Sequence, residues 1–229
     1  MTGMLASVAN LAEAQIVLDA GVDIIDLKSP SDGALGALPV ETVSMIVQAL
    51  AGRCQISATV GDLPMHPQRV QQAVESMAAT GVDYVKIGLF PGGDWRQTVL
   101  GLSPLAKRGI RLVAVLFGDQ QPELSQIAEL SGAGFCGAML DTLDKRSGSL
   151  LQACDLQFLA DFVSEAKACH LLCGLAGSLT PSDIPSLLKL GADYLGFRGA
   201  LCLQRDRTAH LDRMAVLAIK NLMANPDVY

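Results

Sequence analysis

One short unit recurs along this chain and limits what it can fold into. "AGVDIIDLK" begins at Ala20, "TGVDYVKIG" at Thr80, "SGAGFCGAML" at Ser131 and "LGADYLGFRG" at Leu190. Each follows a helix-like stretch, turns on a glycine and runs into apolar residues, usually through an aspartate. Glycine there suits the left-handed residue that ends many helices. The unit reads as helix, tight turn, buried strand. Such units build parallel sheets, whose neighbouring strands need crossover connections.

Strands are expected near residues 4–8, 23–28, 54–60, 83–89, 111–117, 134–141, 170–175 and 193–198. Helices are expected near 11–19, 40–50, 68–79, 95–107, 122–131, 155–168, 181–189 and 208–223. Asn10 with Glu13 resembles a capping box. Thr180 can cap the helix that Pro181 and Asp183 begin, and Asp94 the helix that Trp95 opens. Eight alternating units in 229 residues fit a single-domain (β/α)8 TIM barrel spanning residues 1–229. An open flavodoxin-like sheet is the alternative. The first turn carries no G-x-G-x-x-G, so no dinucleotide cofactor is implied.

Composition removes several function classes. A net charge of −6 without a basic run argues against a nucleic-acid partner. No apolar run approaches the ~18 residues of a membrane span. The start "MTGMLASVANLAEAQ" lacks the basic and apolar regions of a signal peptide, which points to the cytoplasm. Cys54, Cys136, Cys154, Cys169, Cys173 and Cys202 form no C-x-x-C pair and read as reduced, small apolar residues. His66, His170 and His210 are scattered, with no metal-ligand spacing, so no metal is expected. A mean hydropathy of +0.36 leaves a homo-oligomer open.

Side chains alternate across a strand with period 2. In "DIIDLK", Ile24, Asp26 and Lys28 share one face, and Ile25 and Leu27 the other. Helices cover a barrel's outside, so the apolar face must point outward and the charged one inward. The same reasoning sends Tyr84, Lys86 and Gly88 inward, with Val85 and Ile87 outside. Aligned on the glycines, Lys86 falls level with Asp26 and Arg198 with Lys28, but barrel shear offsets these levels, so the alignment gives facing and not distance. Asp141 also has inward parity. Barrel active sites lie at the C-terminal ends of the strands, where this charged set falls. Buried charges must pair or shift their pKa values.

After the sixth strand, "LDTLDK" can return Lys145 to the barrel mouth, held by Asp141; a solvated loop is the alternative. Asp62, in "TVGDLP", reads equally as a mouth residue or a turn residue. Phosphates in barrels commonly bind the loops after strands 7 and 8. Those loops here carry Gly177 and Ser178, then Arg198 and Gly199. A lysine desolvated beside another cation can attack a carbonyl as the neutral amine. A second lysine can then move protons. The residues thus indicate a phosphosugar-handling barrel with Schiff-base lyase or aldolase chemistry. A non-catalytic barrel that binds a phosphorylated metabolite remains the competing class.

Six motifs in order, "DIIDLKSPSDGALGA", "TVGDLP", "YVKIGL", "LDTLDK", "GLAGSL" and "LGFRGALC", resemble the (5-formylfuran-3-yl)methyl phosphate synthase family. The resemblance runs from first strand to last. It implies a (β/α)8 barrel that condenses two glyceraldehyde 3-phosphate molecules into a phosphorylated furan aldehyde on the route to methanofuran. Phosphate and water leave, and no cofactor takes part. It further implies that Lys28 forms the Schiff base and Lys86 accepts a proton. Asp26, Asp141 and Lys145 match further active-site positions. Gly177, Ser178, Arg198 and Gly199 match the phosphate loops. Ser29, Asp32 and Ala34 depart from the family's usual first loop, as Met65 and His66 do from the segment after "GDLP".

Overall fold

The structure is a computed structural model that describes residues 2–146 and 148–225. Met1, Ser147 and residues 226–229 of the expected single domain lie outside the described residues. The strands are β1 (Gly3–Val8), β2 (Ile24–Leu27), β3 (Gln55–Thr59), β4 (Tyr84–Gly88), β5 (Leu112–Phe117), β6 (Gly137–Asp141), β7 (Leu172–Leu175) and β8 (Tyr194–Phe197). They pair in chain order, all parallel, and β8 closes on β1. That closure excludes the open sheet. The helices are α1 (Leu11–Asp19), α2 (Val40–Leu50), α3 (Pro67–Ala78), α4 (Trp95–Lys107), α5 (Ser125–Gly132), α6 (Leu150–Ala153), α7 (Leu156–Ala168), α8 (Ile184–Leu188) and α9 (Arg213–Ala224). None among the described residues is long and apolar enough to cross a membrane.

The recurring unit has a structural explanation. Its turn glycines, Gly21, Gly81, Gly134 and Gly191, all have positive φ, from +70° to +90°. The aspartates after three of them clamp the neighbouring strand. Met4 N donates to Asp23 Oδ2 at 2.7 Å, Ile56 N to Asp83 Oδ2 at 2.8 Å, and Cys173 N to Asp193 Oδ2 at 2.7 Å. Each aspartate amide donates back to the carbonyl of the same residue.

Two apolar layers follow the expected parity. Ile25, Leu27, Val85 and Ile87 join the cluster between strands and helices. Ile24 and Tyr84 join the smaller interior cluster with Leu5, Val115, Met139 and Tyr194. Tyr84 lies beneath the Arg111 guanidinium, 3.9 Å from its ring centroid. This layer fills the lower barrel and leaves the charged residues above it.

Several boundaries differ from expectation. The final helix begins at Arg213 rather than near 208, because residues 199–212 form 3-10 turns and a loop before Asp212 caps Met214 N. The helix expected at 181–189 starts as a 3-10 turn and becomes α8 only at Ile184. The short α6 was not expected. Lys28 and Arg198 stand one residue beyond their strands.

At the start of α1, Asn10 accepts from Glu13 N at 2.9 Å, as a cap should. Glu13 does not return the bond to Asn10. Its carboxylate accepts from Ala9 N instead and pairs with Arg198, at 2.5 Å to Nη1 and 3.3 Å to Nη2. Both side chains are buried. The pair ties the first helix to the end of the last strand, across the seam where the barrel closes. Removing one partner of a buried pair strands the other charge. Glu13→Ala is therefore expected to lower the unfolding free energy by about 3–5 kcal/mol, measured by urea denaturation.

Candidate active site

A cavity of about 880 Å³ opens at the C-terminal ends of the strands. Lys28, Lys86, Asp141 and Lys145 line it, with Gly177, Ser178, Arg198 and Gly199 on one wall and Ser31, Gly33 and Asp62 on another. The structure thus brings eight of the nine expected site residues to one cavity. The ninth, Asp26, is fully buried beneath it.

Asp26 is held by its sheet neighbours. Ser7 on β1 and Ser57 on β3 are its lateral partners in register. Their hydroxyls donate to its two oxygens, at 2.9 Å and 2.6 Å. Lys86 Nζ donates to Oδ1 at 3.0 Å. Lys86 faces inward as Asp26 does, and the shear offset between their strands is one inward position. Ser57 pairs with Tyr84 and Thr59 with Lys86, so the strand stagger raises Lys86 by one inward position. Asp26 therefore acts on the cavity through Lys86.

The second pair stands across the barrel. Asp141 ends β6 and accepts from Thr142 N at 2.7 Å and from Lys145 Nζ. Asp119, after β5, fixes the loop that carries Lys145 by accepting from Leu143 N and Asp144 N, both at 2.8 Å. Asp62 does the same for the β2 loop, accepting from Ala34 N and Leu35 N at 2.8 Å and 2.7 Å. Its carboxylate oxygen lies 2.1 Å from where a Cβ on Gly33 would stand, so a larger residue there would push the carboxylate from its place.

Lys28 is buried, and its amine makes no hydrogen bond or ion pair within 4.0 Å among the described residues. Burial pushes the amine down to about 8; Lys145 and Lys86 add to the shift, and Asp141 and Asp26 oppose it. Burial works the other way on both aspartates. For Asp26, the charges of Lys86 and Lys28 with the Ser57 bond outweigh burial and hold the carboxyl below its ordinary value. For Asp141, Lys145 and Lys28 do so. The arrangement combines a lysine released toward its neutral form with two ion pairs that keep fixed charge around it.

The phosphate-loop residues divide. Gly177 (φ +113°) packs against Thr142, whose amide lies 3.0 Å from a would-be Cβ. Ser178 is exposed, with its own backbone in the left-handed region at φ +46°. Gly199 opens a 3-10 turn after β8. Arg198, expected as a fixed cation beside the loop after β8, is held by protein groups on every side. Besides Glu13, its guanidinium donates to the carbonyls of Ser7, Arg207 and Ala209, which uses all five N–H groups. Sequence reasoning missed Ser7, Ser57, Asp119 and Arg207. The two serines have inward parity in their strands, a signal that alternation could have read. Asp119 and Arg207 lie in loops and leave no periodic trace.

Comparison with known proteins decides the family. A family model described as 4-HFC-P synthase matches residues 4–220. The chain belongs to this synthase family. A Methanocaldococcus jannaschii (5-formylfuran-3-yl)methyl phosphate synthase is 34% identical, over 96% of this chain and 98% of that one. A Methylorubrum extorquens protein that carries the name provisionally is 41% identical, over 97% and 92%. Among solved structures, a Thermotoga maritima phosphoribosyl anthranilate isomerase superposes with a TM-score of 0.73 at 12% identity, covering 98% of this chain and 99% of that one. A 3-hexulose-6-phosphate synthase gives 0.67 at 19%, covering 94% and 99%. Such likenesses show the fold alone. The matched span includes every cavity residue described above.

The charge arrangement has a measurable signature. Labelling of Lys28 by acetic anhydride, followed by peptide mass spectrometry, should rise with a midpoint near pH 8, where its amine loses a proton. Asp141→Asn removes a charge that holds the proton on, so the midpoint should fall. Lys145→Met removes a repelling charge, so it should rise.

Proposed function

We propose that this chain condenses two molecules of glyceraldehyde 3-phosphate into (5-formylfuran-3-yl)methyl phosphate through an imine on Lys28, in the cytoplasm, as a step toward methanofuran. The observation that carries the reading is the Lys28 amine itself, buried at the cavity floor, its pKa lowered to about 8, and flanked by Lys86 and Lys145. Membership of the synthase family supplies the product class.

The neutral Lys28 amine adds to the aldehyde carbon of one triose to give a carbinolamine. Lys86, resting as the cation of its pair with Asp26, donates a proton to the leaving hydroxyl, and water departs. The iminium that remains is an electron sink for the adjacent carbon. Lys86, now neutral, takes the proton from that carbon and returns to its ammonium form beside Asp26. The resulting enamine expels phosphate from the next carbon and leaves an enol whose terminal carbon is nucleophilic. That carbon bonds to the central carbon of the second triose, presented as its ketone isomer after a proton shift of the same kind. Closure of the second triose's terminal hydroxyl on the first triose's central carbonyl, loss of two waters and hydrolysis of the imine complete the product. Asp141 offsets the iminium charge, and Lys145 holds Asp141 in place. The imine serves as the electron sink, so the route needs no cofactor. Phosphate groups would rest on the backbone of Gly177, Ser178 and Gly199.

Borohydride reduction in the presence of glyceraldehyde 3-phosphate should fix an adduct on Lys28, located by peptide mass mapping. Untreated turnover should produce ultraviolet absorbance from a furan aldehyde. Lys28→Arg keeps the charge but cannot form the imine, so both signals should vanish. An active Lys28→Arg enzyme would sink the mechanism. An adduct without furan absorbance would turn the reading into a class I aldolase. Triose binding without any adduct would turn it into a phosphometabolite-binding barrel.

A further inference from the structure

We propose that Arg207 supplies the guanidinium that binds a substrate phosphate at the cavity mouth, the role the sequence pattern assigns to Arg198. The proposal rests on the reading that the substrate is phosphorylated.

Arg198 has no N–H left to offer, as its donors end on Glu13 and on three carbonyls. Two of those carbonyls belong to Arg207 and Ala209. Arg198 therefore grips the loop from which Arg207 projects, and the Glu13 pair fixes Arg198 in turn. Arg207 Cβ lies 3.9 Å from where a Cβ on Gly199 would stand, so its side chain leaves the backbone beside the β8 phosphate loop. It is half-buried, lines the cavity, and reaches Gly33 O through Nη2 at 2.9 Å. Of its five N–H donors, that one alone is hydrogen-bonded among the described residues. No carboxylate oxygen comes within 4.0 Å of its nitrogens among those residues. A half-buried guanidinium with donors to spare, aimed into a cavity and held by a braced loop, suits a planar two-point contact with a phosphate.

The loop's backbone agrees with a functional posture. Gln204 and Arg205, just before Arg207, both occupy the left-handed region at φ +54° and +59°. Neither is glycine, so each is strained there, and the Arg198 bonds help to hold the turn. Burial pushes the Arg207 guanidinium down, and Asp141 and Asp62 oppose it from across the mouth. An incoming phosphate would supply the close anion that those carboxylates do not.

Glycerol 3-phosphate is the appropriate probe, because it has the phosphate and lacks the carbonyl. Its binding is independent of the imine on Lys28. By calorimetry, Arg207→Gln should weaken it roughly ten- to a hundredfold, and Arg207→Lys should recover part of the loss. Hydrogen exchange at the Ala34 and Leu35 amides reports the β2 loop that Arg207 touches, and it should stay unchanged in Arg207→Gln. Unchanged affinity in Arg207→Gln overturns the proposal, as does absence of binding by the wild-type protein. Weaker binding together with lost protection at Ala34 and Leu35 also overturns it, since Arg207 would then only brace the loop. A Lys28 that fails to trap substrate, with the Arg207 effect intact, defeats the imine mechanism and leaves the phosphate site standing.

Discussion

Charge buried inside a closed barrel is poorly hydrated, so its neighbours must neutralise it where it stands. The interior of this barrel holds Lys28, Lys86 and Lys145 against Asp26 and Asp141. Two lysines pair with the two aspartates. One cation is left over, and the position without a close carboxylate is Lys28. Its amine is driven toward neutrality by burial and by the two lysines already committed. The lowered pKa of Lys28 thus reflects the charge count of the site as much as its own burial. Removing any one member would redistribute the burden on the others.

Carboxylates also set the rigidity around that site. Asp62 and Asp119 each accept two consecutive backbone amides, and each fixes a loop that lines the cavity. Asp23, Asp83 and Asp193 clamp strands at the opposite end. Each bond is charge-assisted and so stronger than an ordinary amide–carbonyl contact. A site built on such clamps keeps its reacting groups in place without substrate. The cost of misplacing them by an ångström would be large.

The solved barrels that superpose on this chain share little sequence with it, and the fold they share says where chemistry happens rather than which. The specific content lies in a few inward positions. Asp26, Lys28, Lys86 and Asp141 sit at strand ends, within the span that matches the synthase family. Loops beyond the strands complete the mouth, and Arg207 is the clearest case.

The sequence by itself determined the eightfold alternation, the turn glycines and the facing of Asp26, Lys28, Lys86 and Asp141. Period-2 alternation and glycine's left-handed preference are local properties, readable over a few residues. Tertiary structure alone decided who meets whom. Lys86 reaches Asp26 only because the strand stagger lifts it by one inward position. Asn10 and Glu13 looked like a local cap, yet Glu13 spends its carboxylate on Arg198, 185 residues away. That pairing helps to use up the donors of Arg198, while Arg207 lines the cavity with donors to spare. Such choices depend on barrel closure, which brings β8 beside β1, and no short stretch of sequence encodes the distance between residues that only closure brings together.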